Sequence, residues 1–437
     1  MHTLEDLKSG KLNGIKRLKL ACGLTEFPLA ILKLSSTLEI LDLSDNNLSE
    51  LPDEIVQLKK LKVFFAARNR FTEFPKVLKS FPVLNMIGFK SNLLHTVAEN
   101  VFPPQLNWLI LTDNKIKKLP QSIGEVTLLQ KCALAGNLIE ELPIEMANCT
   151  QLELLRISAN KLKDIPHWLF ELPKLSWVAF GGNSATYQPK LTTDLDTFDW
   201  NELDVSEQLG EGASGFISKA NWKTKNQDVA VKIFKGAVTS DGLPDDEMDI
   251  SIAAGRHENL IQVLGKIKNH SEAKSGLIME LITPTYLNLG NPPTFESCTR
   301  DVFDKGSCFK VKELLKIAKE MASVCEQLHS KGINHGDFYA HNILIDKTKK
   351  SILGDFGAAS FYDTQSAQSG TIQRVEVRAF GCLLEDLLAL INLVKSEESS
   401  LKFWKELITK CTQPTVKMRP SFSEIIEQLA DFDKTND

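Results

Sequence analysis

Four polar residues in the second half of the chain have the types and the spacing that phosphate chemistry requires. Lys232 ends the apolar run 229–231, where a buried ammonium group needs a counter-charge. Asp337 is followed five residues later by Asn342, and Asp355 comes eighteen residues after Asp337. Carboxylate and amide oxygens are hard ligands of the kind that Mg²⁺ prefers. These residues therefore predict a site that holds a magnesium-bound nucleotide.

A glycine-rich stretch upstream of the lysine can bind phosphate through its backbone. It reads Gly210-Glu211-Gly212-Ala213-Ser214-Gly215. Where side chains are absent, backbone amides can approach phosphate oxygens closely. Such clusters also form ordinary turns, so this one gains its meaning from the strand and the lysine that follow it.

Taken in this order, the motifs resemble the protein kinase family, from Leu209 to about the end of the chain. The resemblance implies that Lys232 binds the α- and β-phosphates of ATP and pairs with an acidic residue on the next helix. Glu247 is the best match for that acidic residue, and Asp246 and Asp249 are the alternatives.

The same resemblance assigns the other catalytic and binding residues. Asp337 would accept the proton of the attacking hydroxyl, while Asn342 and Asp355 would ligate Mg²⁺. The residues expected to contact ATP lie in the glycine-rich loop, the lysine strand and the hinge: Leu209, Gly210, Gly212, Gly215, Ile217, Ala230, Lys232, Met279, Glu280, Leu281 and Ile282. Met279 would stand at the rear of the adenine pocket. The expected cofactors are therefore ATP and Mg²⁺.

Three positions near the predicted catalytic aspartate depart from the usual kinase pattern. Gly336 stands where many kinases place the arginine that meets an activation-loop phosphate, which argues against activity gated by phosphorylation. Tyr339 stands where Ser/Thr kinases usually carry a lysine near the γ-phosphate. We expect His341, two residues further on, to act at the catalytic site by supplying part of the missing positive charge.

The predicted activation segment is shorter than usual in this family. Only 21 residues separate Asp355 from Glu376, near the expected start of the long central helix, and no Ala-Pro-Glu lies between them. Arg419 matches the arginine that normally pairs with that missing glutamate, so it must find another partner or stay exposed. These losses concern the docking of a peptide more than the nucleotide, and they leave the substrate open.

The first half of the chain is a repeat with a period of 22 to 23 residues. Its marker is an asparagine that recurs at positions 46, 69, 92, 114, 137, 160 and 183 within a frame of leucines. One repeat cannot bury its own leucines, so the repeats must stack, and each asparagine can satisfy backbone groups that the bend leaves unpaired. This frame resembles the leucine-rich repeat family.

The outward strand positions of the repeats form a face with few charges, and Phe65 and Ile110 lie near its middle. Exposed apolar patches of this kind often mark interaction sites. We therefore expect a protein partner or substrate to bind on the concave face of the repeats, although an ordinary solvated sheet is the alternative. The sequence does not indicate an oligomeric state.

Composition restricts the other possibilities. The chain has 437 residues, 24% charged residues and a net charge of −5, with the two halves only mildly different in charge, so nucleic acid is not an expected partner. The eight cysteines lack a C-x-x-C spacing, and the start shows neither a signal peptide nor a membrane-spanning run. These features favour a reducing, cytoplasmic location.

We therefore predict a multi-domain protein of α/β and α+β class, in which a leucine-rich repeat solenoid precedes a two-lobed protein kinase-like domain. The solenoid would cover residues 1–195 in about eight repeats, and the kinase-like domain 196–437, with an N-lobe over about 201–282 and a C-lobe over about 283–437. The predicted activity is phosphate transfer to a protein, to Ser or Thr rather than Tyr. The alternatives are a kinase-like enzyme that acts on a small molecule and a pseudokinase scaffold.

Overall fold

The computed structural model describes residues 2–189, 195–212, 214–236, 238–239, 241–391 and 398–436. Ala213, in the glycine-rich stretch, lies outside the described residues. The chain forms two compact units: the first comprises the residues up to Leu172 together with Asn183–Ala185, and the second comprises Pro173–Gly182 and the residues from Thr186 onward. The division thus falls inside the last repeat, whereas the sequence predicts a boundary between 195 and 196.

The first unit is built from short parallel strands, one for each repeat. They are β1 (Arg17–Lys19), β2 (Ile40–Asp42), β3 (Val63–Phe65), β4 (Met86–Gly88), β5 (Trp108–Ile110), β6 (Lys131–Ala133) and β7 (Leu154–Arg156), each paired with the next in parallel register. Two short helices, α1 (Leu4–Lys8) and α2 (His167–Phe170), lie near its two ends in sequence. Most of the other repeats instead have a 3₁₀ turn that begins directly after a proline, as at Pro52 and Pro120.

The repeated asparagines hold the bends of the first unit together, as the sequence predicts from their spacing. The Nδ2 atom of Asn114 donates to the carbonyl oxygens of Leu111 at 3.0 Å and of Phe89, one repeat earlier, at 2.9 Å. Its Oδ1 accepts from the Leu94 amide at 3.0 Å. Because the same bonds recur at Asn137, each asparagine joins two neighbouring repeats.

The second unit contains a six-stranded sheet in the order β10-β11-β12-β14-β13-β9. These strands are β9 (Thr197–Asp199), β10 (Leu203–Glu211), β11 (Gly215–Trp222), β12 (Gln227–Phe234), β13 (Val263–Lys268) and β14 (Gly276–Glu280). The helix α3 (Pro244–Ala254) follows β12; it starts with a proline and three acidic residues, which suit a helix N-terminus. The strand β8 (Trp177–Ala179) also belongs to this unit.

The rest of the second unit is mainly helical. Its long helices are α4 (Val311–Ser330), α5 (Ser369–Ala389), α6 (Glu398–Cys411) and α7 (Phe422–Asn436), and its short strands are β15 (Leu287–Asn288), β16 (Ile333–Asn334), β17 (Ile343–Ile345), β18 (Ser351–Leu353) and β19 (Ser360–Phe361). Strand β17 pairs with β18, and β16 pairs with β19. Asn342 lies between β16 and β17, and Asp355 lies between β18 and β19. Helix α5 begins at Ser369, seven residues before the predicted start, because Ile372 and Val375 already pack in the core.

Among the described residues, no helix is both long enough and apolar enough to span a membrane. All eight cysteines are free, and six of them are buried.

Candidate active site

An ion pair joins β12 to α3 in the second unit. The Nζ atom of Lys232 contacts Oε1 of Glu247, and the two side chains are 13% and 3% exposed. Burial raises the pKa of Glu247 above its ordinary value, and the lysine opposes that change. Of the three acidic candidates on α3, the structure brings Glu247 to the lysine, while Asp249 lies 4.0 Å from Lys266.

A cleft surrounds this ion pair. The predicted residues that line it are Gly212, Gly215, Ile217, Lys232, Glu247, Met279 and Asp355. The sequence missed several apolar and polar wall residues, namely Thr239, Asp241, Ser251, Ile261, Val263 and Leu277. These six residues carry no motif. The one available signal concerns Leu277, because the alternation of side chains along β14 places it on the same face of the strand as the predicted Met279.

The glycines of the loop serve different purposes. A Cβ atom on Gly215 would lie 2.5 Å from the carbonyl oxygen of Ile233, so close packing of β11 on β12 requires glycine there. A Cβ atom on Gly210 or Gly212 would meet nothing within 4 Å. The open side of these two glycines is consistent with space for phosphate groups. Lys235 Nζ donates to the Gly212 carbonyl oxygen at 3.0 Å and holds the end of the loop.

The hinge residues lie partly outside the cleft. Ala230 pairs with Met279 across β12 and β14, whereas Glu280, Leu281 and Ile282 line a separate cavity together with Tyr286. The Glu280 amide donates to the carbonyl oxygen of Gln262 at 2.9 Å, so the sheet already uses that donor. Leu209, at the end of β10, is 48% exposed.

The predicted catalytic aspartate is held by hydrogen bonds from its own loop. Asn342 Nδ2 donates to Asp337 Oδ2 at 2.8 Å and to the Asp337 carbonyl oxygen at 2.9 Å. The fully buried His335 donates from Nε2 to the Gly354 carbonyl oxygen at 3.0 Å and accepts from the Asp337 amide through Nδ1 at 3.3 Å. This histidine therefore connects the segment that holds Asp337 to the one that precedes Asp355.

Asp355 has a left-handed backbone with φ of 57°, which is uncommon for a residue with a side chain. Its Oδ1 accepts from the Gly357 amide at 3.1 Å. Asn342 uses Nδ2 in both of its bonds to Asp337, which leaves its amide oxygen as the atom that can ligate a cation. An amide oxygen and a carboxylate form a donor set that fits Mg²⁺, so these residues suit the metal that the sequence predicts.

His341 is bound to an aspartate that the sequence analysis did not single out. The two polar atoms Nδ1 and N of His341 contact the Asp301 carboxylate at 2.7 and 3.1 Å. Burial would lower the pKa of His341, but the hydrogen bond and the charge of Asp301 raise it above its ordinary value. Asp301 lies in the long connection 283–308, where Arg300 pairs with Asp386 of α5.

Glu376 of α5 fixes the backbone just before the predicted catalytic aspartate. Its Oε1 accepts from the Gly336 amide at 2.9 Å, and its Oε2 contacts Nε2 of His329 on α4 at 2.8 Å. Burial alone would raise the pKa of this carboxyl, but the hydrogen bonds from His329 and Gly336 keep the pKa below its ordinary value. The second unit thus holds a buried carboxylate beneath the loop.

Two family models match parts of the chain. Residues 203–389 match the family described as protein tyrosine and serine/threonine kinase, and residues 37–58 match the leucine rich repeat family. The chain therefore combines a leucine-rich repeat region with a protein kinase domain.

Its individual relatives are kinases at modest identity. A probable serine/threonine-protein kinase of Dictyostelium discoideum is 26% identical over an alignment of 267 positions, which covers 52% of this chain and 16% of that protein. A serine/threonine-protein kinase of Arabidopsis thaliana is 24% identical, over 54% of this chain and 46% of the relative. A tyrosine-protein kinase receptor of Danio rerio is 24% identical, over 52% and 31%. The chain spans less than half of the length of each of these relatives.

Proposed function

We propose that the chain is an active protein kinase that transfers the γ-phosphate of Mg-ATP to a Ser or Thr hydroxyl of a protein. The observation that carries this proposal is the ion pair between Lys232 and Glu247 in a cleft that Asp355 also lines. The bond between Asp337 and Asn342 supports it, because both residues are then oriented before substrate arrives. The choice of Ser or Thr over Tyr follows the two relatives named above that are serine/threonine-protein kinases, from Dictyostelium discoideum and Arabidopsis thaliana.

Each polar residue has a role in this proposal. Lys232 binds the α- and β-phosphates, and Glu247 keeps its ammonium group in place. Asp337 accepts the proton of the attacking hydroxyl, and Asn342 and Asp355 hold Mg²⁺, which would neutralise the phosphate oxygens. His341, positioned by Asp301, adds positive charge near the reacting phosphate.

In the same proposal, the concave face of the first unit recognises a protein partner or the substrate. The ring of Phe65 on β3 lies over Gly88 of β4, because a Cβ atom on that glycine would come 2.7 Å from the ring. Phe65 and Ile110 stay half-buried, so the face offers apolar surface to a partner. We also propose a cytoplasmic location, as the cysteine pattern predicts.

The test is phosphate transfer from γ-labelled ATP by the full chain, beside Asp355→Ala and the control Asp204→Ala, which changes an exposed aspartate of the same unit. We expect label on Ser or Thr of the chain or of a general protein acceptor. Loss of one metal ligand should reduce transfer at least about 100-fold, while the control stays within about twofold. Mass spectrometry of the labelled species identifies the acceptor residue.

Two other outcomes would contradict this proposal. Saturable ATP binding without transfer to any protein would indicate a pseudokinase scaffold. Transfer to a small molecule alone would indicate a kinase-like enzyme that acts on small molecules. The short segment between Asp355 and the start of α5 at Ser369 is the observation that keeps both alternatives in view.

A further inference from the structure

Two departures from the kinase pattern, Gly336 and Tyr339, contact one segment, Pro173–Gly182. Arg419, the arginine whose usual glutamate partner is missing, contacts the same segment. The repeat spacing assigns this segment to the last repeat, but the segment belongs to the compact second unit. The segment lies more than 150 residues before the loop that it touches, so no local sequence signal connects them.

Gly336 leaves space for the backbone of this segment. The residue has a φ of 72°, and a Cβ atom on it would lie 2.6 Å from the carbonyl oxygens of both Val178 and Ala358. An arginine, the residue that many kinases carry here, would collide with both carbonyl groups. Asn334 Nδ2 also donates to the Val178 carbonyl oxygen at 2.9 Å, so the segment is hydrogen-bonded directly to the strand that leads into the catalytic loop.

Trp177 contacts the residues immediately after the catalytic aspartate. Its Nε1 donates to the carbonyl oxygen of Phe338 at 2.9 Å. Its ring stacks on Tyr339 with a centroid distance of 4.3 Å and an angle of 9°, and Tyr339 stacks in turn on His341 at 4.9 Å. Trp177 and Tyr339 are 2% and 5% exposed. A buried indole thus fixes one backbone carbonyl and one ring of the catalytic loop.

The same segment contacts both the shortened activation segment and Arg419. The amides of Phe180 and Gly181 both donate to Oγ of Ser360 on β19, each at 3.0 Å. Arg419, which lies between α6 and α7, donates from Nη2 to the Pro173 carbonyl oxygen at 2.8 Å. Arg419 is 1% exposed, so the segment supplies part of what a glutamate would otherwise provide.

We propose that Pro173–Gly182 is a built-in part of the catalytic unit that replaces the missing end of the activation segment, and that Trp177 is a positioning residue for the catalytic loop. The effect on turnover rests on the kinase activity proposed above. The positioning role of Trp177 does not depend on that activity, because it concerns only how firmly the backbone of residues 337–342 is held. Trp177 acts through the Phe338 carbonyl and the Tyr339 ring, and it does not touch the nucleotide cleft.

The experiment compares the full-length variants Trp177→Phe and Trp404→Phe with the wild type. Trp177→Phe keeps an aromatic ring but removes the indole donor. Trp404 is a matched control: it is fully buried in α6 of the same unit, and within the described part of the chain its Nε1 has no hydrogen-bond partner. Both variants lose a similar volume, but only Trp177→Phe also loses a hydrogen bond, so its thermal unfolding midpoint should fall further than that of Trp404→Phe.

We expect kcat to fall about tenfold in Trp177→Phe, the effect of one lost hydrogen bond, with the KM for ATP unchanged. Trp404→Phe should keep kcat within about twofold. Hydrogen–deuterium exchange of the amides of residues 337–342 should be faster in Trp177→Phe alone. A wild-type kcat in Trp177→Phe, or equal losses in both variants, would overturn the proposal.

The two proposals fail in different ways. If the wild type transfers no phosphate to protein, the proposed function is wrong, while the exchange measurement still decides whether Trp177 positions the loop. Equal exchange of residues 337–342 in the wild type and in Trp177→Phe would refute the positioning role, whatever the activity.

Discussion

Arg419 is a charged side chain that the second unit buries with carbonyl oxygens as its partners. It donates to the carbonyl oxygens of Gln413, Arg374 and Pro173 at 2.8, 2.9 and 2.8 Å. Burial lowers the pKa of Arg419 to about 9, so the guanidinium stays charged at neutral pH. The planar fork of donors suits three separate acceptors, which a lysine could not reach together.

Replacing this arginine should therefore destabilise the second unit. We expect Arg419→Gln to cost about 3 kcal/mol, because it leaves buried carbonyl groups without donors, and to lower the unfolding midpoint by several degrees. Thermal unfolding of the full chain checks this, with Arg256→Gln, a change at an exposed arginine of the same unit, as the control. Equal midpoints in the two variants would contradict the role assigned to Arg419.

Individual residues differ in how far the sequence can predict them. The partners of Asn114 follow from its period, because stacked repeats present the same backbone groups at every turn. The pairing of Lys232 with Glu247 follows from an ordered family motif. Asp301 and Trp177 were not predictable, because each acts across a long separation in sequence and lies in a stretch whose local pattern indicates a loop or a repeat.

The helix α3 carries more negative charge than its surroundings can compensate. Asp246 is half-buried, and burial, together with Asp249 and Asp245, raises its pKa to about 6. Among the described residues, no hydrogen bond reaches its buried Oδ2 atom. A Cβ atom on Gly181 would lie 3.5 Å from this oxygen, so the carboxylate faces the backbone of the segment Pro173–Gly182.

This charge should make the stability of the second unit depend on pH. The folded state raises the pKa of Asp246, so it binds the proton more tightly than the unfolded state. The wild type should therefore gain stability as the pH falls from above 6 to about 4, and the penalty is fully present above pH 6. Asp246→Asn removes the penalty and should add about 1 kcal/mol at pH 8, after allowance for partial exposure.

Thermal unfolding at pH 8 and at pH 4 measures the effect. We expect Asp246→Asn to exceed the wild-type midpoint at pH 8 and to approach it at pH 4, whereas Asp204→Asn, at an exposed position of β10, should change neither value. A difference between Asp246→Asn and the wild type that stays constant across this range would show that ionisation of Asp246 is not its cause.

The elements of the fold were predictable where a period or a motif marks them. The strands of the repeats and the strand that ends at Lys232 lie where their patterns place them. The predicted start of α5 was wrong by seven residues. The resemblance to kinases placed the start at Glu376, but the preceding turns are also helical, because residues such as Ile372 pack in the core. No motif in the long connection 283–308 predicted a contact with a helix, yet Arg300 anchors this connection to α5.

The two compact units do not coincide with the two sequence families. The repeat pattern continues to Asn183, and the kinase match begins at residue 203, but Pro173–Gly182 belongs to the second unit. A chain cut at the predicted boundary would therefore lack Trp177, and Asn334 and Ser360 would lose hydrogen-bond partners.

We expect the chain 173–437 to be more stable than the chain 196–437. Loss of a buried tryptophan and its hydrogen bonds corresponds to several kcal/mol, and should lower the unfolding midpoint by about 10 °C. Thermal unfolding of the two purified fragments measures the difference. A third fragment, 186–437, lacks Pro173–Gly182 but starts ten residues earlier than 196–437, and it should behave like 196–437. Equal midpoints in 173–437 and 196–437 would show that the segment is dispensable to the catalytic unit.

The position of Pro173–Gly182 in the chain also has a genetic consequence. Recombination that joins a foreign recognition module to a kinase at the boundary between the two sequence families would separate Trp177 from the loop that it contacts. Such a hybrid gene would encode every motif that resembles those of kinases and still lack a part of the second unit. We therefore expect the repeats and the kinase of this protein to be inherited together, and exchange of the repeat region to succeed only at junctions upstream of Pro173.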